Sequence, residues 1–219
     1  MTRSLRIGVV AEGPSDRVLI SRLVERLFGA DVEVRAIWPQ EPLTPGRPYG
    51  WRGVRSWCEE FGPQLDVFMN GVEGDELDLM FVHVDCSMAQ HVGARRPCPP
   101  ARATADALRA EIRGAWLGLE SLPETLVLVS PCQSAETWIR AALDTDPVSE
   151  LECRDAEEID RWFHRNRYLR IRDGQLKKPL RRYRPLVEKA SAKWPEVKAL
   201  CSEARRFEDE VELALRGRR

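Results

Sequence analysis

The stretch Val9–Val24, VVAEGPSDRVLISRLV, changes its period in the middle. Upstream, Leu5–Ala11 is a short apolar run rich in β-branched residues. Downstream, Arg17–Phe28 carries Val18, Leu19, Leu23, Val24 and Leu27 at helical spacing before Gly29 closes it. A strand that feeds directly into a helix is a β-α unit. At the joint stand Glu12, Gly13 and Pro14, so a carboxylate is set at the end of an apolar strand, where an unpaired charge is costly. Ser15 or Asp16 is positioned to cap the helix that follows.

The same alternation recurs outward from this unit. Strands are predicted at Val32–Trp38, Leu79–Val84 and Thr125–Val129, the second of which is the most apolar and delivers Asp85 at its carboxyl end. Helices are predicted at Val54–Asn70, with a break near Gly62-Pro63, at Ala101–Leu119, and at Ser134–Leu143 with Ser134 as N-cap. Gln40–Gly53, rich in proline and glycine, reads as a loop. Strands separated by long helical segments require crossovers, so the predicted fold class is α/β, a mainly parallel sheet flanked by helices. Residues 1–146 form this body. Residues 147–219 read as a helical, basic C-terminal region packed on it.

Apolar residues make up 43% of the 219-residue chain and charged residues 32%, which suits a globular core and argues against extended disorder. No apolar run is long enough for a transmembrane helix, and the first residues lead into a strand rather than a signal core, so a cytoplasmic protein without a membrane partner is expected. The six cysteines form no CxxC pair, and reduced, mostly buried thiols are the expectation. His83, Cys86, His91 and Cys98 are all metal-ligand types within a short span. On a strand, however, His83 and Cys86 point to opposite faces, which argues against zinc.

The net charge of −1 conceals an asymmetry: residues 161–219 hold 18 Lys/Arg against 8 Asp/Glu. Within residues 161–184 the basic side chains are interleaved with Trp162, Phe163, Tyr168 and Tyr183, a mixture suited to gripping phosphates and stacking on bases. The same pattern also describes a solvated arginine-rich surface. Lys177, Lys178, Arg181 and Arg182 are the candidate nucleic-acid contacts.

In a parallel sheet, the carboxyl ends of the strands share one edge, where ligands bind. Glu12, Asp85 and, beyond the fourth strand, Glu136 are therefore expected on a common rim. Crowded carboxylates repel one another, and either protons or a hard divalent cation relieve them.

These residues also carry a resemblance. VVAEGPSD followed by FVHVDCS resembles the TOPRIM domain of topoisomerases, DnaG-type primases and overcoming-lysogenisation-defect nucleases. SPCQSAETWIRAAL and WPEVKALCSEARRFEDEV resemble segments of small stand-alone bacterial TOPRIM-like proteins. The resemblance implies a TOPRIM-like Rossmannoid fold with a Mg²⁺ (or Mn²⁺) site. It assigns Glu12 and Asp85 to catalysis, and Glu12, Asp16, Asp85, Ser87 and Glu136 to the metal. Ser87 stands where the family pattern has a second Asp, and a hydroxyl is a weaker magnesium ligand.

The implied activity is metal-dependent cleavage of a nucleic-acid phosphodiester, of DNA or RNA, in bacterial defence beside a separate ATPase subunit. The chain carries no phosphate-binding GxxxxGK[ST] loop of its own. The alternative is a catalytically weakened TOPRIM-like module that binds nucleic acid, a nucleotide or a partner protein.

Overall fold

Ile7, Val9, Val10 and Ala11 are wholly buried, because β1 (Leu5–Val10) lies inside a sheet rather than at its margin. In the computed structural model, which describes residues 4–29, 32–39, 49–71, 76–146 and 150–216, β1 pairs in parallel with β2 (Val32–Trp38) on one side. On the other it pairs in parallel with β3 (Leu79–His83). Beyond β3 comes β4 (Leu126–Val129), also parallel, so the order is β2-β1-β3-β4. The predicted α/β class with a parallel sheet flanked by helices is what forms.

The two faces of the sheet are covered separately. Ile7, Val9, Phe81, Val127 and Val129 face a core shared with α1 (Pro14–Phe28) and with helices from the C-terminal third, α6 (Ala156–Arg165), α7 (Leu180–Ala192), α8 (Trp194–Leu200) and α9 (Ser202–Arg216). Val10, Met80, Val82, Leu126 and Leu128 face the opposite core, built on α2 (Trp51–Phe61), α3 (Leu65–Asn70) and α4 (Arg102–Glu111). The alternation along β1 and β3 is the period-two signature of strands buried on both faces. Phe81 of β3 packs against Phe207 of α9 at 5.9 Å, so a C-terminal helix is joined to the sheet by aromatic contact, and Trp138 packs edge-on against Trp194 at 5.6 Å.

Several local expectations are corrected. Trp51–Gly53 belong to α2 instead of a loop, and residues 40–48 lie outside the described residues. The break at Gly62-Pro63 is present as a tight turn between α2 and α3. The helix expected over Ala101–Leu119 is α4 followed by a wider π-helical turn, Ile112–Trp116. Neither Ser15 nor Asp16 caps α1, because the helix starts at Pro14 after an extended Gly13 with no side-chain cap. Nor does Ser134 cap α5 (Glu136–Leu143), since Ala135 immediately precedes the helix and the buried Ser134 hydroxyl makes no hydrogen bond among the described residues.

The basic region is not entirely helical. Arg170–Arg172 (β5) and Gln175–Lys177 (β6) form an antiparallel hairpin, turned at Asp173-Gly174 with φ of 52° and 70°. Positive φ at both turn residues is what an Asp-Gly two-residue hairpin adopts. Not all thiols are reduced either: Cys98 and Cys153, 55 residues apart, are joined as a disulfide with a Cα–Cα distance of 5.6 Å. Sequence spacing hid the pair because the fold, not the local motif, brings the two loops together. Among the described residues no helix is long and apolar enough to cross a membrane.

Candidate functional site

The chain runs one way from β1 to β2 and the other way from β1 to β3, so the sheet has its switch point between β1 and β3. In an open α/β sheet the carboxyl ends of the strands at such a point form the crevice where a ligand usually binds. Glu12 leaves β1 and Asp85 leaves β3, and the two flank this crevice.

They are direct neighbours: the Asp85 backbone N–H donates to Glu12 Oε1 at 2.8 Å. Among the described residues the group that hydrogen-bonds the Glu12 carboxyl is this peptide N–H. The Asp85 carboxylate faces the other way and accepts the Ala135 N–H at 2.9 Å, tying the end of β3 to the start of α5. His83 Nε2 lies 3.3 Å from the same Asp85 oxygen, and the imidazole is 1% exposed. Burial, reinforced by the Asp85 charge, pushes the Glu12 carboxyl up to about 8. For His83, burial acts downward, but the close Asp85 carboxylate and the Asp16 and Glu12 charges outweigh it and raise the imidazole to about 9.

A second half of the site holds a true cation. Lys178 follows β6, and its ammonium lies 2.9 Å from Glu136 Oε1 and 4.0 Å from Asp16 Oδ1. Tyr183, wholly buried on α7, donates its hydroxyl to Glu136 Oε1 at 2.8 Å. Asp16 also accepts the Ser15 hydroxyl at 3.3 Å and is 3% exposed. Burial, partly offset by Lys178, raises the Asp16 carboxyl above its ordinary value. Burial and then the Glu136 charge raise Asp160 to about 6. Burial by itself would lower the Lys178 ammonium, yet Glu136, Asp16 and Asp85 overcome it and hold the lysine charged.

The structure thus gathers Glu12, Asp16, Asp85 and Glu136 around one crevice and moves Lys178 from the expected nucleic-acid surface into their midst. Ser87 donates its backbone N–H to the Gln133 carbonyl at 2.8 Å. Sequence reasoning misses Tyr183 and Asp160 as neighbours of the cluster. Composition places Tyr183 among the base-stacking residues, and only its burial shows otherwise.

The remaining cations form a cleft of about 550 Å³, lined by Arg170, Arg172, Lys177, Lys178, Pro179 and Arg182. Lys177 Nζ bonds Gln175 Oε1 at 3.1 Å along the same hairpin strand. Arg181 is exposed on the first turn of α7 and is not among the lining residues. The aromatic side chains expected to stack on bases do not line it. Trp162 and Phe163 are buried, with Tyr168 stacked on Trp162 at 5.6 Å and the Arg140 guanidinium 5.4 Å from the same indole. They serve the core because α6 turns its apolar face to α5 and the β5–β6 hairpin.

The donor chemistry of the crevice, all carboxylate oxygen, suits a hard divalent ion such as Mg²⁺ or Mn²⁺. The arrangement does not. Among the described residues no three acidic, histidine or cysteine side chains stand together as a metal-holding group. Between Asp16 and Glu136 the position a cation would take is filled by the Lys178 ammonium. As arranged, these residues do not fit the metal that the TOPRIM resemblance implies. Comparison with family models, curated proteins and solved structures gives no match for this chain.

Proposed function

We propose that this protein binds nucleic acid by its phosphate backbone in the basic cleft and brings that backbone to the edge of the acidic crevice, in the manner of a TOPRIM-like module. The observation that carries the reading is Lys178. It lines the cleft on one side and reaches Glu136 and Asp16 on the other, so a phosphate seated in the cleft lies beside the crevice. Arg170, Arg172, Lys177 and Arg182 supply four further cations with no aromatic platform among them, a composition that favours backbone contact without base readout.

The test is fluorescence anisotropy with labelled single- and double-stranded DNA and RNA across a salt series. Binding with little sequence preference is expected, weakening steeply with salt and abolished in Arg172→Glu/Arg182→Glu. Affinity unchanged in that double variant would overturn the reading.

The contact between Glu12 and the Asp85 backbone favours a second reading, phosphodiester cleavage in the crevice. It needs Lys178 displaced from the acids before a divalent ion enters. Cleavage that depends on Mg²⁺ or Mn²⁺ and disappears in Glu12→Ala and Asp85→Ala supports it. Binding without cleavage under all metal conditions rejects it.

A further inference from the structure

The start of α2 carries aromatic rings of a kind that the basic cleft lacks. Trp51 opens the helix, and its indole stacks on the His91 imidazole with ring centroids 5.7 Å apart and planes 14° from parallel. His91 belongs to the short helical turn Cys86–Val92, which begins directly after Asp85. The Arg52 guanidinium lies 4.8 Å from the indole centroid. Trp51 is half-buried against the α2 core, whereas His91 and Arg52 are exposed. Tyr49, two residues before Trp51, is 49% exposed and is one of three large apolar side chains left exposed among the described residues.

These rings stand beside the acids. Gly50, between Tyr49 and Trp51, has φ of 62°, and a Cβ added there would lie 3.7 Å from Glu12 Oε2. Glu12 in turn accepts the Asp85 N–H, and Asp16, on the helix that follows Glu12, lies 4.0 Å from the Lys178 ammonium, which lines the basic cleft. The aromatic ledge and the basic cleft therefore border the same group of acids.

We infer that Tyr49, Trp51 and His91 form a stacking site for an unpaired nucleobase, and that the strand held by its phosphates in the basic cleft is single-stranded. Stacking here rests on the phosphate binding proposed above and adds the substrate class to it.

Core packing accounts for the buried side of Trp51 but not for the exposed imidazole and guanidinium set against it, nor for Tyr49 next in line. A nucleobase fits such a ledge because its flat π-face stacks on aromatic rings whatever the base, which agrees with a cleft that offers cations without base readout. Arg52 adds a positive charge at the ledge, where the neighbouring acids would otherwise repel a phosphate. Bases inside a duplex are already stacked on their neighbours and offer no free face, so the ledge selects an unpaired strand. Charged grooves paired with aromatic platforms are the general means of holding single strands.

The test is fluorescence anisotropy of the full chain with a short labelled oligothymidine and with an abasic strand of the same length, which keeps the phosphates and lacks the bases. The parent should bind oligothymidine about tenfold more tightly than the abasic strand. His91→Ala and Tyr49→Ala, both at exposed positions, should lose most of that preference while keeping the affinity for the abasic strand and the salt slope. Trp51→Phe, which keeps a ring against the core, should diminish the tryptophan quenching caused by bound oligothymidine. Equal affinity of the parent for the two strands, or a preference that survives in both alanine variants, would overturn the stacking site and leave the phosphate reading standing. Absence of binding to either strand would overturn both. A parent dimer that Tyr49→Ala and His91→Ala dissociate, with no base-dependent binding, would assign the ledge to a second copy of this chain instead.

Discussion

The Lys178 ammonium sits 2.9 Å from Glu136 Oε1, joining the residue that follows a basic hairpin to a carboxylate that is 2% exposed at the start of α5. Lys178 is itself 26% exposed, so the pair lies between a surface bridge and a fully desolvated one. Removing one partner of a buried pair leaves an uncompensated charge and costs on the order of 3–5 kcal/mol, while exposed pairs are worth far less. Lys178→Met is therefore expected to cost about 3 kcal/mol of unfolding free energy in urea at neutral pH. Tyr183→Phe, which leaves the lysine in place and removes one hydrogen bond to Glu136, should cost about 1–2 kcal/mol. A Lys178→Met variant as stable as the parent would mean that the acids are not ionised together.

The crevice also sets a pH dependence. Glu12 is raised from 4.5 to about 8 by burial and by the Asp85 charge, and His83 from 6.5 to about 9 by its acidic neighbours against the opposing effect of burial. In both cases the folded protein holds a proton more tightly than the unfolded chain. The stability this contributes is complete below the unfolded value and disappears as pH rises through the folded one. The Glu12 contribution falls between pH 4.5 and about 8 and that of His83 between pH 6.5 and about 9, so stability declines across pH 6.5–9, with both contributions falling up to about pH 8, and the two groups titrate as a unit because they interact. The urea midpoint should therefore decline over that interval. Glu12→Gln, which keeps a neutral side chain at every pH, should flatten the decline. A midpoint that is level or rising there in the parent protein would contradict the protonation described.

The β-α unit at the start of the chain is legible because its apolar period changes from two to 3.6 within a few residues, and the adjacency of Glu12 and Asp85 follows from parallel topology. Lys178 is not legible as their counter-ion. Its position depends on the β5–β6 hairpin, and the one local signal for that hairpin, the Asp173-Gly174 pair, sits inside a run of basic residues that reads as a charged surface. The aromatic residues of that run mislead for a related reason. Trp162 and Phe163 share a face of α6 with Ile159, and a helical apolar face reports burial before it reports ligand binding.

If the basic cleft holds phosphates, its cations should be countable. Each lysine or arginine that neutralises a phosphate releases condensed counterions, so the slope of log affinity against log salt shrinks by about 0.7–0.9 for every phosphate no longer neutralised. Arg172→Ala and Arg182→Ala are expected to reduce the slope by about one unit each and to weaken all sequences alike. Arg181→Ala should leave it unchanged, since that side chain does not line the cleft. Equal slopes for all three variants would place the phosphate path elsewhere.

Helix α9 depends on a carboxylate from a distant turn. Glu152, 5% exposed on the short turn Leu151–Cys153, accepts the Ser202 and Glu203 N–H groups and so satisfies donors that a helix start leaves open. The negative charge also complements the positive end of the helix dipole. Phe207, Val211, Ala214 and Leu215 of that helix belong to the main core, so loosening its first turn loosens the layer that covers the sheet. Glu152→Gln keeps an acceptor oxygen but removes the charge and should cost about 1 kcal/mol, whereas Glu152→Ala removes both and should cost about 2 kcal/mol. The difference should shrink in high salt, where charge–dipole attraction is screened and the hydrogen bonds remain. Hydrogen exchange at the first turn of α9 provides the local check. Faster exchange at Ser202 and Glu203 in the alanine variant, with the amides of β1 and β3 still protected, is the expected pattern; unchanged exchange at the helix start would mean that the cap contributes nothing.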